Sequence, residues 1–179
     1  MTQPFVPDAA LRALGLTFRP ETDDDIGFLR DLYVSMRWDE LAPLTEWSEA
    51  AKTDFLTQQF TLQRRHYRSA YHDAAFLVIA DGAGDRIGRI YLYHGGSDIR
   101  VVDVGLLPDR RGRGIGAALF QALFTMAQAS NRSVSVHVEK FNPAQRLYER
   151  LGFRDVSEDG PYRLMEWRPT ISADPLVQL

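Results

Sequence analysis

Leu106-Leu107-Pro108-Asp109-Arg110-Arg111-Gly112-Arg113-Gly114-Ile115-Gly116 is the stretch on which the fold turns. Ahead of it, Val101–Leu107 has the composition of a strand. Behind it, Ile115, Ala118, Leu119, Ala122, Leu123 and Met126 recur at helical spacing and form the clearest amphipathic pattern in the chain. A strand that runs through glycines straight into a helix lets the backbone come close to a ligand. The first-turn N–H groups have no partner inside the helix and point at whatever lies there. The helix dipole makes that place attractive to an anion, and Arg110, Arg111 and Arg113 add positive charge. The plainer alternative is a glycine-rich turn carrying solvated arginines. Gly112, Gly114 and Ala117 also satisfy a dinucleotide fingerprint. That motif belongs in a first strand–helix–strand unit, whereas this one is central and follows a meander.

Outward from this stretch the pattern alternates between strand and helix. Leu16-Thr17-Phe18-Arg19 reads as a short strand stopped by Pro20, and Thr22 with Asp25 resembles a capping box. Ile26, Leu29, Leu32, Tyr33 and Met36 mark one helix, and a second, long or broken, starts near Ser48. Phe76–Ala80, Ile87–Tyr93 and Val101–Leu107 read as an antiparallel meander with turns at Asp81–Asp85 and Gly95–Asp98. Beyond the amphipathic helix come a strand at Ser133–Val138 and a helix opened by Asn142-Pro143 and closed by Gly152. Strands near Phe153–Val156 and Tyr162–Trp167 end the pattern. The expectation is an α/β fold: a mixed, mostly antiparallel sheet of about seven strands flanked by about four helices. One domain spans 16–168, after an irregular lead-in over 1–15 and before a tail over 169–179.

Composition narrows the chemistry. The 179 residues, 45% of them hydrophobic, suffice for one buried core. A net charge of −3 gives no reason to expect nucleic acid or an anionic membrane as a partner. There is no cysteine, hence no disulfide, no thiolate metal site and no cysteine nucleophile; no metal is expected. No apolar run reaches the ~18 residues of a membrane span and no signal-peptide pattern opens the chain, so a cytoplasmic location is the default expectation.

Two motifs together resemble those of the GNAT acetyltransferase superfamily. Arg111, Gly114 and Gly116 match its cofactor motif, Gln/Arg-x-x-Gly-x-Gly/Ala. Asn142-Pro143-Ala144-Gln145-Arg146-Leu147-Tyr148-Glu149-Arg150-Leu151-Gly152-Phe153 resembles its second motif, Asn-x-x-Ala-x-x-Leu-Tyr-x-x-x-Gly-Phe, with the alanine displaced to Ala144. The resemblance is strong from Val101 to Phe153 and weak before Phe76.

The resemblance implies transfer of an acetyl group from acetyl-CoA to a primary amine, on a small molecule or a peptide, by a monomer or a homodimer. It implies that backbone N–H groups of Arg111, Gly112, Arg113, Gly114, Ile115 and Gly116 cradle the pyrophosphate. Leu106 and Leu107 would pair with the pantetheine arm like an added strand, the Leu106 N–H donating to the thioester carbonyl. Asn142 would contact the pantetheine, although it is equally an N-cap before proline. Tyr148 would donate to the departing thiolate, although it equally suits a core. Without a cysteine, direct attack in a ternary complex is expected. His137, with an ordinary pKa near 6.5, is the candidate base, and Asp103 and Glu139 are weaker ones. Acceptor choice is expected among Trp38, Asp39, Glu40, Trp47, Phe55, Phe60 and Tyr67, residues whose simplest roles are core and solvated loop. A non-catalytic acyl-CoA-binding regulator and a dinucleotide oxidoreductase are the alternative classes.

Overall fold

A computed structural model describes residues 5–170. Its elements are α1 (Ala9–Ala13), β1 (Thr17–Pro20), α2 (Ile26–Arg37), α3 (Glu49–Ala70), β2 (Ala75–Ala80), β3 (Arg86–His94), β4 (Asp98–Leu106), α4 (Ile115–Ala129), β5 (Ser133–Glu139), α5 (Gln145–Arg150), β6 (Arg154–Asp159) and β7 (Tyr162–Trp167). The lead-in expected to be irregular holds the short helix α1, capped by the Asp8 carboxylate on the Leu11 N–H. Leu11 is fully buried against the main core, which is why this segment is ordered. From residue 171 onward, the expected tail lies outside the described residues.

The seven strands form one sheet in the order β1-β2-β3-β4-β5-β7-β6. Every neighbouring pair is antiparallel except β4 with β5. A doubly wound dinucleotide fold needs a run of parallel strands, so the dinucleotide alternative lacks its scaffold. On one face lies α4, whose Ile115, Leu119, Ala122 and Leu123 are buried as their spacing requires. Phe120, Phe124 and Ala127 widen the buried stripe and pack with Phe153 and Trp167.

On the other face α2 and α3 pack with Val78 through Leu29, Tyr33, Leu56 and Phe60. The stretch expected to be long or broken is one continuous helix, capped by Ser48 on the Ala51 N–H. A carboxylate just after β1 fixes it to the sheet. Glu21, almost wholly buried, accepts from Arg64 and Arg68 of α3 and from the Tyr91 hydroxyl of β3 at 2.7 Å. Burial pushes its pKa up, but the Tyr91, Arg64 and Arg68 hydrogen bonds outweigh burial and hold it below the usual carboxylate range. The Thr22–Asp25 pair forms as expected, with the Thr22 N–H on the Asp25 carboxylate at 2.8 Å. Asp25 also binds Arg19 and Arg86, and so ties the start of α2 to β1 and β3.

Candidate active site

The site arises where the one parallel pair fails. β4 and β5 are in register only over Asp98–Val101 and Ser133–Val136. The register of β4 against β3 slips there too: Val101 faces Leu92 but Asp103 faces Tyr91, leaving Val102 as a bulge. A bulge bends its strand, so β4 turns away from β5 and a wedge opens between them.

Backbone polarity decides what that wedge can bind. The Leu107 N–H donates to the Ile87 carbonyl at 2.9 Å. Facing residues of an antiparallel ladder alternate between bonded and non-bonded pairs, so the next pair, Gly88 with Leu106, is non-bonded. The Leu106 N–H and carbonyl therefore point into the wedge, where β5 supplies no register partner. The carbonyl is taken by the Arg111 Nε at 2.9 Å, and the N–H is left for a ligand. Leu107 does not fit the role expected of it, because its N–H serves Ile87 and its carbonyl accepts from Arg110 at 2.9 Å.

The glycine segment follows β4 and leads into α4. Gly112 and Gly114 have φ of 69° and 80°, left-handed values that other residues rarely adopt. Gly114 is the N-cap of α4 and brings no capping side chain; the first intrahelical donor of the turn is Ala118, to the Gly114 carbonyl. The N–H groups of Ile115, Gly116 and Ala117 thus lack intrahelical partners. The three arginines divide their roles. Arg110 pairs with Asp81 and Asp109, Arg111 folds back on Leu106, and Arg113 stands exposed beside the helix start.

Tyr148 lines a cavity of about 220 Å³ walled by Val101–Val104 of β4 and Val136–Glu139 of β5. Its ring lies edge-on to Phe120 at 5.3 Å and tilted to Phe153 at 5.5 Å, so it is a core residue and a cavity wall at once. Burial, aided by the Asp103 charge, pushes its hydroxyl up to about 12, which keeps it a hydrogen donor at neutral pH. Asn142 lines the same cavity and caps the next turn, its side-chain oxygen accepting from the Ala144 N–H at 2.9 Å. Gln145 donates to the Glu139 carbonyl and accepts from Arg163, bracing the end of β5 against β7.

A larger cavity of about 790 Å³ adjoins this one beneath α2 and α3. His137, Glu139, Val101, Val102, Tyr33 and Tyr67 line both. His137 is exposed, and burial on its inner side together with Arg100 lowers its pKa, with Asp159 opposing; at pH 7 the ring is neutral and can accept a proton. The weaker candidates are otherwise engaged. Glu139 binds Arg37 at 3.0 Å, and Asp103 binds the buried Arg89 at 2.8 Å. Among the residues expected to choose the acceptor, Glu40, Phe55 and Tyr67 line the large cavity and Trp47 packs on Phe55. Phe60 and Trp38 belong to the core beneath α2 and α3, and Asp39 is exposed. Tyr33, Arg37, Tyr71 and Tyr162 also line the large cavity. None of the four stood out in the sequence: Tyr33 and Tyr71 look like core at helical spacing, Tyr162 like an ordinary strand residue and Arg37 like a surface charge.

Residues 72–155 match the model of an acetyltransferase (GNAT) domain. The mycothiol acetyltransferase of Clavibacter sepedonicus is 39% identical over 97 residues, covering 52% of this chain and 32% of that protein. The chain thus spans about a third of the length of the curated relatives it matches. In fold it resembles the PaiA N-acetyltransferase of Thermoplasma acidophilum, solved in complex with coenzyme A. The TM-score is 0.63 at 19% identity, over 86% of this chain and 99% of that one. An acetyltransferase from Thermus thermophilus gives the same TM-score and identity over 87% and 98%.

Proposed function

This chain belongs to the GNAT acetyltransferase superfamily, and on that footing we propose that it moves an acetyl group from acetyl-CoA to a primary amine by direct attack. The observation that carries the reading is the wedge. An unpaired Leu106 N–H at its wall and a cluster of unpaired helix N–H groups at its end suit a chain of amides that terminates in phosphates. Acetyl-CoA supplies a thioester carbon open to nucleophiles.

The protein's own groups then have distinct tasks. The N–H groups from Gly112 to Gly116, with Arg113 beside them, hold the pyrophosphate, while the Arg111 N–H is taken by the Pro108 carbonyl at 3.3 Å. The Leu106 N–H donates to the thioester carbonyl and strengthens that bond as negative charge builds on the oxygen. An alkyl amine with a pKa near 10.4 is almost entirely protonated at pH 7, so attack requires removal of a proton. His137, neutral and exposed where the two cavities meet, takes it. Tyr148, at the other end, donates to the departing sulfur. A hydroxyl as weakly acidic as this one stabilises the thiolate by its hydrogen bond and yields its proton only as charge arrives. With no cysteine in the chain, no acyl-cysteine intermediate forms.

The test is release of CoA thiol from acetyl-CoA in the presence of an amine, compared between wild type and Tyr148→Phe at saturating acetyl-CoA. The expected result is amine-dependent release that falls at least a hundredfold in the variant. A kcat within about threefold of wild type removes Tyr148 from the mechanism, and no release with any amine removes the reaction.

A further inference from the structure

The large cavity carries information about what it accepts. It is a trough between α3, which presents Phe55, Gln59, Leu62 and His66, and the β6–β7 hairpin, which presents Ser157, Asp159, Tyr162 and Leu164. Its charged groups are largely spent on one another. Arg37 is held between Glu40 and Glu139 at 3.0 Å each. Arg100 leans on Ser135 and Asp98, which are themselves hydrogen-bonded. Asp159 sits exposed at the hairpin turn, where its charge bears on His137. A second ammonium group would meet Glu40 and Glu139 already paired with Arg37 and, beyond them, the solvent-exposed Asp159, and a carboxylate would meet guanidiniums already paired with acids. The rim, by contrast, is apolar and uncovered: Phe55 is 36% exposed, Leu62 48% and Tyr162 46%.

The inner end has the opposite character. Tyr67 lines both cavities, and Asp103 lines the inner one with it. Asp103 is paired with Arg89, which is 2% exposed, at 2.8 Å. The Tyr67 hydroxyl stands at the junction of the two cavities, where its oxygen can accept from an N–H donor.

We infer that the acceptor is an amine with a single nitrogen head and an aromatic or alkyl body, the head at Tyr67 and the body along Phe55 and Leu62 beneath Tyr162. This rests on the acetyl-transfer reading above. The body covers the three exposed apolar side chains at the rim, and burial of that surface favours larger bodies over small ones. The inner end places the head where the wedge opens.

The experiment is thiol release from acetyl-CoA with five probes: ethylamine, phenethylamine, spermidine, glucosamine and lysine. The expected kcat/KM for phenethylamine exceeds that for ethylamine at least tenfold and exceeds those of the three polar amines. Phe55→Ala and Leu62→Ala, both at exposed positions, should each lower the phenethylamine value several-fold through KM and so narrow the ratio of phenethylamine to ethylamine. Tyr67→Phe should lower kcat/KM for both simple amines about tenfold without moving the KM of acetyl-CoA. A preference for spermidine, glucosamine or lysine overturns the inference and leaves acetyl transfer standing, as does phenethylamine no better than ethylamine. No release with any of the five overturns both.

Discussion

The two sides of the wedge are built by different means. The β4–α4 side offers backbone: the Leu106 N–H and the first turn of α4, entered through glycines with positive φ. The α2–α3 side is assembled from side chains that come from α2, α3, β5 and the β6–β7 hairpin. A backbone site needs particular residues in a continuous run, because only certain residues allow the conformation. A side-chain pocket needs only that suitable groups arrive together, so its members are scattered and each resembles an ordinary core or surface residue.

The largest expected effect comes from removing a single side-chain atom on α5. Tyr148→Phe keeps the ring among Phe120 and Phe153 and removes only the hydroxyl, so kcat should fall 10²–10⁴-fold while the melting temperature moves little. Steady-state kinetics beside thermal melts checks both halves. A second variant probes the scaffold under the acceptor side. Asp25 is fully buried beneath Arg19 and Arg86, and Asp25→Asn should cost about 3 kcal/mol by denaturant titration at pH 7. The Arg19 hydrogen bonds, and then those of Thr22 and Arg86, outweigh burial and hold this carboxyl well below the usual range. A depressed folded pKa stabilises above the unfolded pKa near 3.9, so the difference from wild type should shrink below about pH 4.

Smaller effects sharpen the comparison. Gly114→Val places a β-branched residue at a φ of 80°, and acetyl-CoA affinity by calorimetry should weaken about tenfold. His137→Gln should lower kcat/KM for the amine a few-fold at pH 8. It should also erase the acid limb of the pH profile, which in wild type falls through a pKa below 6.5 because the ring must be neutral to act.

The order of strands and helices was legible because periodicity follows burial: the α4 stripe and the β2–β4 meander lie where their patterns put them. Helix α1 was not, since five residues with one buried leucine make no period. The Arg111–Gly116 turn and Tyr148 could be read because a motif names them. The opposed fates of Leu106 and Leu107 could not, because ladder parity is set by the pairing of Ile87 with Leu107, a choice invisible in either strand alone. The acceptor trough was the least legible part. Phe55 and Tyr67 were weighed as core, and Tyr33, Arg37 and Tyr162 gained their place only when α2, α3 and the closing hairpin met.

The central claim is that the wedge between β4 and β5, ended by the Arg111–Gly116 turn, holds acetyl-CoA. Isothermal calorimetry of the full chain with acetyl-CoA and, separately, with NAD and NADP tests it most directly. The account expects saturable one-to-one binding of acetyl-CoA that weakens in Gly114→Val, and no heat with either dinucleotide. Dinucleotide binding, or acetyl-CoA binding that Gly114→Val leaves intact, would contradict it.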